Sequence, residues 1–397
     1  MLPAVRTLCT AGEASQAIMS AGAAPWARAL RQAVASVAER GAFVNDTGSV
    51  VREQPAQAWD WADDSPALPH RQRGLCLRLA ERTRDELLAA PGRDQRARLR
   101  ACGGPGAGAW LLVAPTEPAL ALEDRDFHVA SRLRLGQAVC GEHKRCRNVY
   151  VSEPGGHAGR VPRRGTRCGR ELDVWGDHGL MCSVGGRRTR RHDNLRDTAI
   201  PLFERAGFHV AKEVRVPAWD VPAGGRRRQD LRAVLDLRLE SPPDEPLVYC
   251  DVVVAHPKAR GVAAAAAASD GAAAARAEAD KHRRYPDGRV PLGRLVPLAV
   301  EPYGRWGDEA LRLFKAAAAR TVARTAALGN LGDTATPAVL GSMMARLSVS
   351  LQRGNAECAR AAIAEEPPAP AEAPDGEAAI ADLLARAEAH VDASVGA

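Results

Sequence analysis

The sequence predicts an α/β fold built on a helix, three strands, a second helix and a fourth strand. A helical N-terminal region, a small Cys/His segment and a helical C-terminal tail flank this core. Three observations carry the expectation. From residue 191 onward the apolar spacing switches between helical and strand periods. Residues 247–255 form an almost continuous apolar run, the texture of a central strand. Residues 140–190 concentrate Cys, His, Gly and Arg without a sustained period, as a metal-organised segment does.

Taken in order, residues 1–130 read as helices, at 26–39 and 71–88 among others, with a Pro/Asp/Trp-rich loop at 54–69 and a Gly-rich break at 102–108. No motif there carries chemistry. Residues 194–206 are helical by the spacing of Leu195, Ala199, Leu202, Phe203 and Ala206, and Gly207 suits the C-cap. Strands follow at 208–216, 229–239 and 247–255, then a long helix at 260–285, a strand at 295–301 and an amphipathic helix at 308–328. The tail holds a helix at 337–363, a Pro/Glu/Ala-rich linker at 365–375 with no core-forming residues, and a short helix at 377–391. The expected domains are therefore 1–130 (helical), 131–190 (Cys/His), 191–330 (α/β core), 331–364 (C-terminal helix) and 365–397 (linker and short helix).

The 397 residues are 46% hydrophobic, which excludes a wholly disordered chain, while 4% aromatic content with 36 Gly and 27 Pro points to a compact centre with looser ends. The formal net charge of +7 is unevenly placed: residues 140–234 carry 20 Lys and Arg against 11 Asp and Glu, so the remainder sums to −2. A concentrated basic segment is the footprint expected for a nucleic-acid partner. Nine cysteines, an odd number, lack the dense even spacing of a secreted disulfide scaffold and fit reduced thiols with a metal site in an intracellular protein. The Ala-rich stretch at 263–277 is interrupted by Ser269, Asp270 and Arg276, so no membrane partner is expected. Residues 1–43 are acid-poor in the manner of a transit peptide, but Glu13, Glu39 and the helical pattern favour an amphipathic helix.

The chemistry lies on the strands. Asp230 opens the second strand after Arg226, Arg227 and Arg228, and Asp251 interrupts the third strand's apolar run. A carboxylate in such a run is costly to bury alone and must meet a cation. Two carboxylates on neighbouring strands can chelate Mg²⁺ or Mn²⁺, which polarises a phosphodiester and acidifies bound water. Lys281 and Tyr285, four apart on one face of the following helix, could contact the same phosphate.

These residues sit in an ordered series over some 230 positions: Cys168-Gly169, Gly176-Asp177-His178 and Cys182; Arg191-His192-Asp193-Asn194-Leu195-Arg196-Asp197; Gln229-Asp230; Asp251-Val252-Val253-Val254 with Pro257; Lys281 with Tyr285; Pro297-Leu298-Ala299-Val300-Glu301 with Gly304; and residues 348–356. The series resembles the restriction-endonuclease-like, PD-(D/E)xK domain that follows the reverse transcriptase in non-LTR retrotransposon proteins, with its preceding Cys/His zinc segment. The resemblance implies a metal-dependent nicking endonuclease with Asp230, Asp251 and Lys281 as its site, Tyr285 as accessory and Glu213 as a weaker metal ligand. It also implies DNA, and element RNA, as partners, a reverse transcriptase in cis or in trans, residues 1–130 as a linker after the polymerase, and nuclear localisation. The chain departs from the family pattern at Gln229, which stands in place of proline, in the 20 residues from Asp230 to Asp251, and at Val253, which stands where a lysine is usual. Lys281 must then supply the cation. A Tyr-x-Asp-Asp polymerase signature is absent from the sequence, so the expectation is a separated C-terminal part of such a protein, or a gene derived from one.

For zinc, Cys168, His178 and Cys182 supply three ligands of the tetrahedral four. The position three residues before Cys168 is Gly165, which leaves Cys146 or Cys140 as the fourth, with His143 and His157 as weaker substitutes. Arg187, Arg188, Arg190 and Arg191, together with Arg226, Arg227 and Arg228, suit phosphate contacts. The rival reading is a catalytically inactive, zinc-organised nucleic-acid-binding remnant.

Overall fold

The computed structural model describes residues 81, 83–89, 92–150, 165–221, 232–241, 245–290, 293–326 and 335–363. The chain divides into two compact units, Met1–Pro91 and Gly92–Ala397. In the first, residues 81 and 83–89 are helical. The helix expected at 26–39, most of that at 71–88, the linker at 365–375 and the final helix at 377–391 lie outside the described residues.

In the second unit, α1 (Arg93–Ala101) is followed by the glycine-rich turn anticipated at 102–108 and by α2 (Asp124–Leu135), which Gly136 closes in the left-handed conformation. After the Cys/His segment come the short α3 (Asp177–Met181) and α4 (Arg187–Arg205). Then follow β1 (His209–Arg215), β2 (Val234–Glu240), β3 (Leu247–Val254), α5 (Ala263–Ala268), α6 (Ala272–Arg284), β4 (Gly293–Val300), α7 (Asp308–Ala326) and α8 (Ala335–Ile363). The four strands make one mixed sheet in the order β1-β2-β3-β4, antiparallel except for the parallel β3–β4 pair. A parallel pair needs a crossover, and α5 with α6 provides it.

The α4 periodicity puts Leu195, Ala199, Leu202 and Phe203 into the main core, against Val248, Cys250 and Val252 of β3 and Leu298 and Val300 of β4. Phe314 of α7 and Leu347 and Leu351 of α8 close the same cluster, and the Phe314 ring stacks on Phe203 at 5.8 Å. Helix α8 is buried at almost every position from Met343 to Ala359, as befits a helix wrapped by others rather than laid on a surface. A second, smaller cluster gathers Trp219, Leu235, Tyr249, Tyr285 and Leu295.

One expected element divides. The helix read across 260–285 is α5 and α6, separated where Ser269 is extended and Gly271 is left-handed (φ 72°). Asp270 in this break accepts from Arg100 (2.7 Å) and Arg305 (3.0 Å), and Glu301 accepts the backbone N–H groups of Ala273 and Ala274 at the new helix start. The alanine run on either side has no apolar period that could have announced the break. No helix among the described residues is long and apolar enough to cross a membrane.

Candidate metal centres

The Cys/His segment is organised by two stretches that pair antiparallel, with bridges Arg145↔Glu171 and Val149↔Arg167. Their hydrogen bonds bring Cys146 and Cys168 together: Cys146 N–H donates to the Arg170 carbonyl and Cys168 N–H to that of Asn148, each at 2.8 Å. Helix α3 brings the other two ligands. Asp173 accepts the N–H groups of Asp177 (2.9 Å) and His178 (2.7 Å), fixing the first turn, and Cys182 follows at its end.

Ligand atoms of Cys146, Cys168, His178 and Cys182 all lie within 4.8 Å of one another. The Cys146 and Cys182 sulfurs are 3.8 Å apart, and Cys168 Sγ is 3.5 Å from His178 Nε2. A tetrahedral zinc with Zn–S near 2.3 Å and Zn–N near 2.0–2.1 Å requires edges of about 3.8 Å and about 3.6 Å. These two pairs stand at zinc-like separations, and the Cys146 and Cys182 sulfurs are far from the roughly 2.05 Å of a disulfide. This buried Cys₃His cluster can hold a metal such as zinc. The fourth member of the group is Cys146, whereas Cys140 reaches the Asp173 carbonyl and His143 is exposed beside Glu171. Burial pushes the Cys146 thiol up to about 12, with the neighbouring thiols adding to the rise, a penalty that a bound cation would offset. Burial lowers His178, favouring the neutral ring that ligates metal.

The second cluster lies where β2 and β3 part. Their ladder pairs Leu237, Arg238 and Leu239 with Cys250, Tyr249 and Val248. One step further, Asp236 stands opposite Asp251, and Val252 N–H donates at 2.7 Å to the Asp236 carboxylate. On its other edge Asp236 lies across from Glu213, which the β1–β2 ladder skips and which has φ 54°. A non-glycine residue in that region is strained, and strain of this kind concentrates at functional sites.

Helices close on the pair from both sides. Lys281 of α6 donates to Asp251 Oδ2 at 2.5 Å, and His192 Nε2 of α4 lies 3.0 Å from Asp236 Oδ2. Asp251 is buried, and burial pushes its carboxyl up to about 6; Lys281 opposes the rise and the Asp236 charge adds to it. For Asp236, burial also raises, but the hydrogen bond and charge of His192 and the Val252 N–H outweigh it and the net shift is downward. His192 answers in the opposite sense: burial lowers it, and Asp236 and Asp193 carry it above the ordinary imidazole range.

The expected site residues fall out as follows. Asp251 and Lys281 are in contact. Asp230, Arg226, Arg227 and Arg228 lie outside the described residues, as does His157, and the described carboxylate facing Asp251 is Asp236. Sequence reading missed it, although the alternation of buried Leu235, Leu237 and Leu239 places Asp236 on the face opposite to them. Tyr285 packs its ring against Trp219 at 5.6 Å in the smaller core cluster. The Glu213 carboxylate accepts from Arg196 at 3.0 Å and is not among the side chains gathered around Asp251. Of the arginines expected on phosphate, Arg191 is buried, donating to Asn355 Oδ1 (2.8 Å) and the Leu180 carbonyl (3.2 Å), so it joins helices rather than facing a ligand. Arg187 and Arg190 both pair with Glu357 of α8. Arg188 is exposed and donates to the Met181 carbonyl. No protein-family model and no curated protein matches the chain, so both centres stand on their own geometry.

Proposed function

We propose that this chain is a metal-dependent DNA-nicking endonuclease of the PD-(D/E)xK type, akin to the nuclease domain of non-LTR retrotransposon proteins. The observation that carries the reading is the facing pair Asp236 and Asp251 with the Lys281 ammonium on it. The mixed four-stranded sheet, with α4 before β1-β2-β3 and crossover helices before β4, supports it, because it keeps the helix, three strands, helix and strand order that the resemblance implies.

A divalent cation held by the two aspartates would neutralise phosphate charge and acidify water at the scissile bond. Asp251 and Asp236 would hold that ion, the latter carboxylate being fixed by the Val252 N–H. Lys281 reaches the same point from α6, so the cation absent at Val253 is restored from the neighbouring helix. Its ammonium can orient the phosphate and balance the charge that develops when water attacks phosphorus and the 3′ oxygen leaves. In an intact element the 3′-hydroxyl so formed would prime reverse transcription by a polymerase in cis or in trans.

Relaxation of supercoiled plasmid by zinc-loaded protein with Mg²⁺ or Mn²⁺ tests this. Asp236→Asn and Asp251→Asn should each slow nicking by roughly 100-fold or more, since several kcal/mol of charge stabilisation are lost. Asp230→Asn, run alongside, identifies the first carboxylate: loss there with retention in Asp236→Asn would move the assignment to Asp230. No cleavage by wild type with intact, salt-sensitive DNA binding would favour the inactive remnant instead.

A further inference from the structure

We propose that His192 completes, with Asp236 and Asp251, a mixed nitrogen–oxygen site that takes a first-row transition ion such as Mn²⁺ in preference to Mg²⁺. The nuclease reading supplies what the ion would do, and the inference deepens that reading; the choice of ion comes from the donors.

The three ligand atoms lie within 4.8 Å of one another. His192 Nε2 and Asp236 Oδ2, 3.0 Å apart, match the separation of about 3.0 Å between adjacent ligands of an octahedral ion at about 2.1 Å. A second observation points to a metal independently of that distance. The other ring nitrogen, Nδ1, faces Asp193 Oδ1 at 3.2 Å, which is the carboxylate–imidazole relay that orients metal-ligating histidines and raises their basicity. Asp193 is itself held by Arg196 at 3.3 Å, and that guanidinium is buried and anchored by Asp197 (2.9 Å) and Glu213 (3.0 Å). The outer layer is thus built on three carboxylates and one buried arginine, with the Val252 N–H fixing Asp236 from the sheet.

Charge agrees. With a neutral imidazole, Asp236 and Asp251 against Lys281 leave one net negative charge, which a divalent ion with an incoming phosphodiester would balance. Mg²⁺ favours an all-oxygen shell and keeps most of its waters. An imidazole nitrogen in the first shell shifts preference toward later first-row ions. The rival arrangement on the same atoms is an ion pair, with a charged His192 bridging Asp193 and Asp236 and no part in metal binding.

Titration of the full, zinc-loaded chain with Mn²⁺, followed by the loss of the free-ion electron paramagnetic resonance signal, separates the two. The expected result is one Mn²⁺ per chain beyond zinc, displaced only by at least roughly 10-fold more Mg²⁺. His192→Ala should weaken Mn²⁺ binding by roughly 100-fold and erase the preference over Mg²⁺. Asp193→Asn should weaken it by about 10- to 100-fold, as loss of an outer-layer partner does. Should His192→Ala misfold by circular dichroism, Asp193→Asn and His192→Gln carry the same comparison. Equal Mn²⁺ affinity in wild type and these variants, or a wild-type preference for Mg²⁺, overturns the proposal while leaving a two-aspartate nuclease standing. Wild-type protein that binds neither ion overturns both.

Discussion

Glu301 is the most deeply buried carboxylate among the described residues, 1% exposed, and its position sets up a pH effect. Its Oε1 accepts from Ala273 N–H (3.0 Å) and Ala274 N–H (3.2 Å) at the N-terminus of α6, where a negative charge is favoured. Burial nevertheless pushes its pKa up to about 6 from an ordinary 4.5, against the pull of those N–H groups and Arg305. Between these values the folded state holds more protons than the unfolded state, so stability from this group falls as pH rises and the loss is complete above about pH 6. The shift corresponds to a cost on the order of 2 kcal/mol at neutral pH. Glu301→Gln keeps the acceptor and removes the charge. Its stability by urea denaturation should equal wild type near pH 4.5 and exceed it by up to about 2 kcal/mol at pH 7.5; a gap that does not change with pH would refute the assignment. The same scale shows what sequence could and could not reveal. Asp251 stood out because a charge inside an apolar run demands a partner. Asp236 did not, because an acidic residue alternating with leucines looks like any half-exposed strand. Its role exists only through the register that sets it opposite Asp251, and register is a property of two strands.

At the level of elements, helical and strand periods located β1, β3, β4 and α7 to within a few residues, while α4 starts at Arg187, seven residues before the expected 194, because its arginine-rich first turns carry no apolar period. The α5–α6 break escaped because its cause, Asp270 drawn to Arg100 and Arg305, lies in side chains 170 and 35 positions away. Close helix contacts escaped similarly. Gly354, in the middle of α8, lies against Arg191 of α4: a Cβ there would come within 2.6 Å of Arg191 Cγ, 2.9 Å of its Cβ and 3.2 Å of its Cα. Alanine usually gains up to about 1 kcal/mol over glycine inside a helix. Here the clash involves a buried, hydrogen-bonded side chain and its backbone, and overpacking of this kind costs about 1–3 kcal/mol. Gly354→Ala is therefore expected to lower the melting temperature by several degrees, and Gly341→Ala, where nothing lies within 4 Å, to leave it unchanged or raise it. Both variants behaving alike would show that the α4–α8 approach is looser than drawn.

Across the whole second unit, the Cys₃His cluster and the carboxylate cluster are joined through one buried side chain. Asp177, adjacent to the ligand His178, accepts from Lys258 Nζ (2.5 Å) and Tyr303 O–H (2.9 Å) and lies beside His256. Lys258 and His256 follow the end of β3, the strand that carries Asp251, and Tyr303 follows β4. Although burial alone would raise it, His256 and Lys258 hold Asp177 down to about 2. Its contribution is therefore present above the ordinary value of 3.8 and is lost only as pH falls toward 2. Lys258→Met leaves Asp177 buried without its closest cation, a change that costs about 3 kcal/mol, while one zinc per chain should remain bound. Stripping the zinc with a chelator acts from the other end. The amides of Cys146, Cys168 and Leu172, which pair with the carbonyls of Arg170, Asn148 and Lys144, should lose protection from hydrogen exchange, because few apolar contacts hold that segment once the ligands are free. Amides of α4 and β3, anchored in the main core, should keep theirs. Nicking should then decline in both cases, through loss of the Asp177 tether rather than of any metal-binding carboxylate. A chelated protein that retains protection at Cys146 and Cys168 would show that the segment folds without metal, and unchanged nicking in Lys258→Met would show that the two centres act independently.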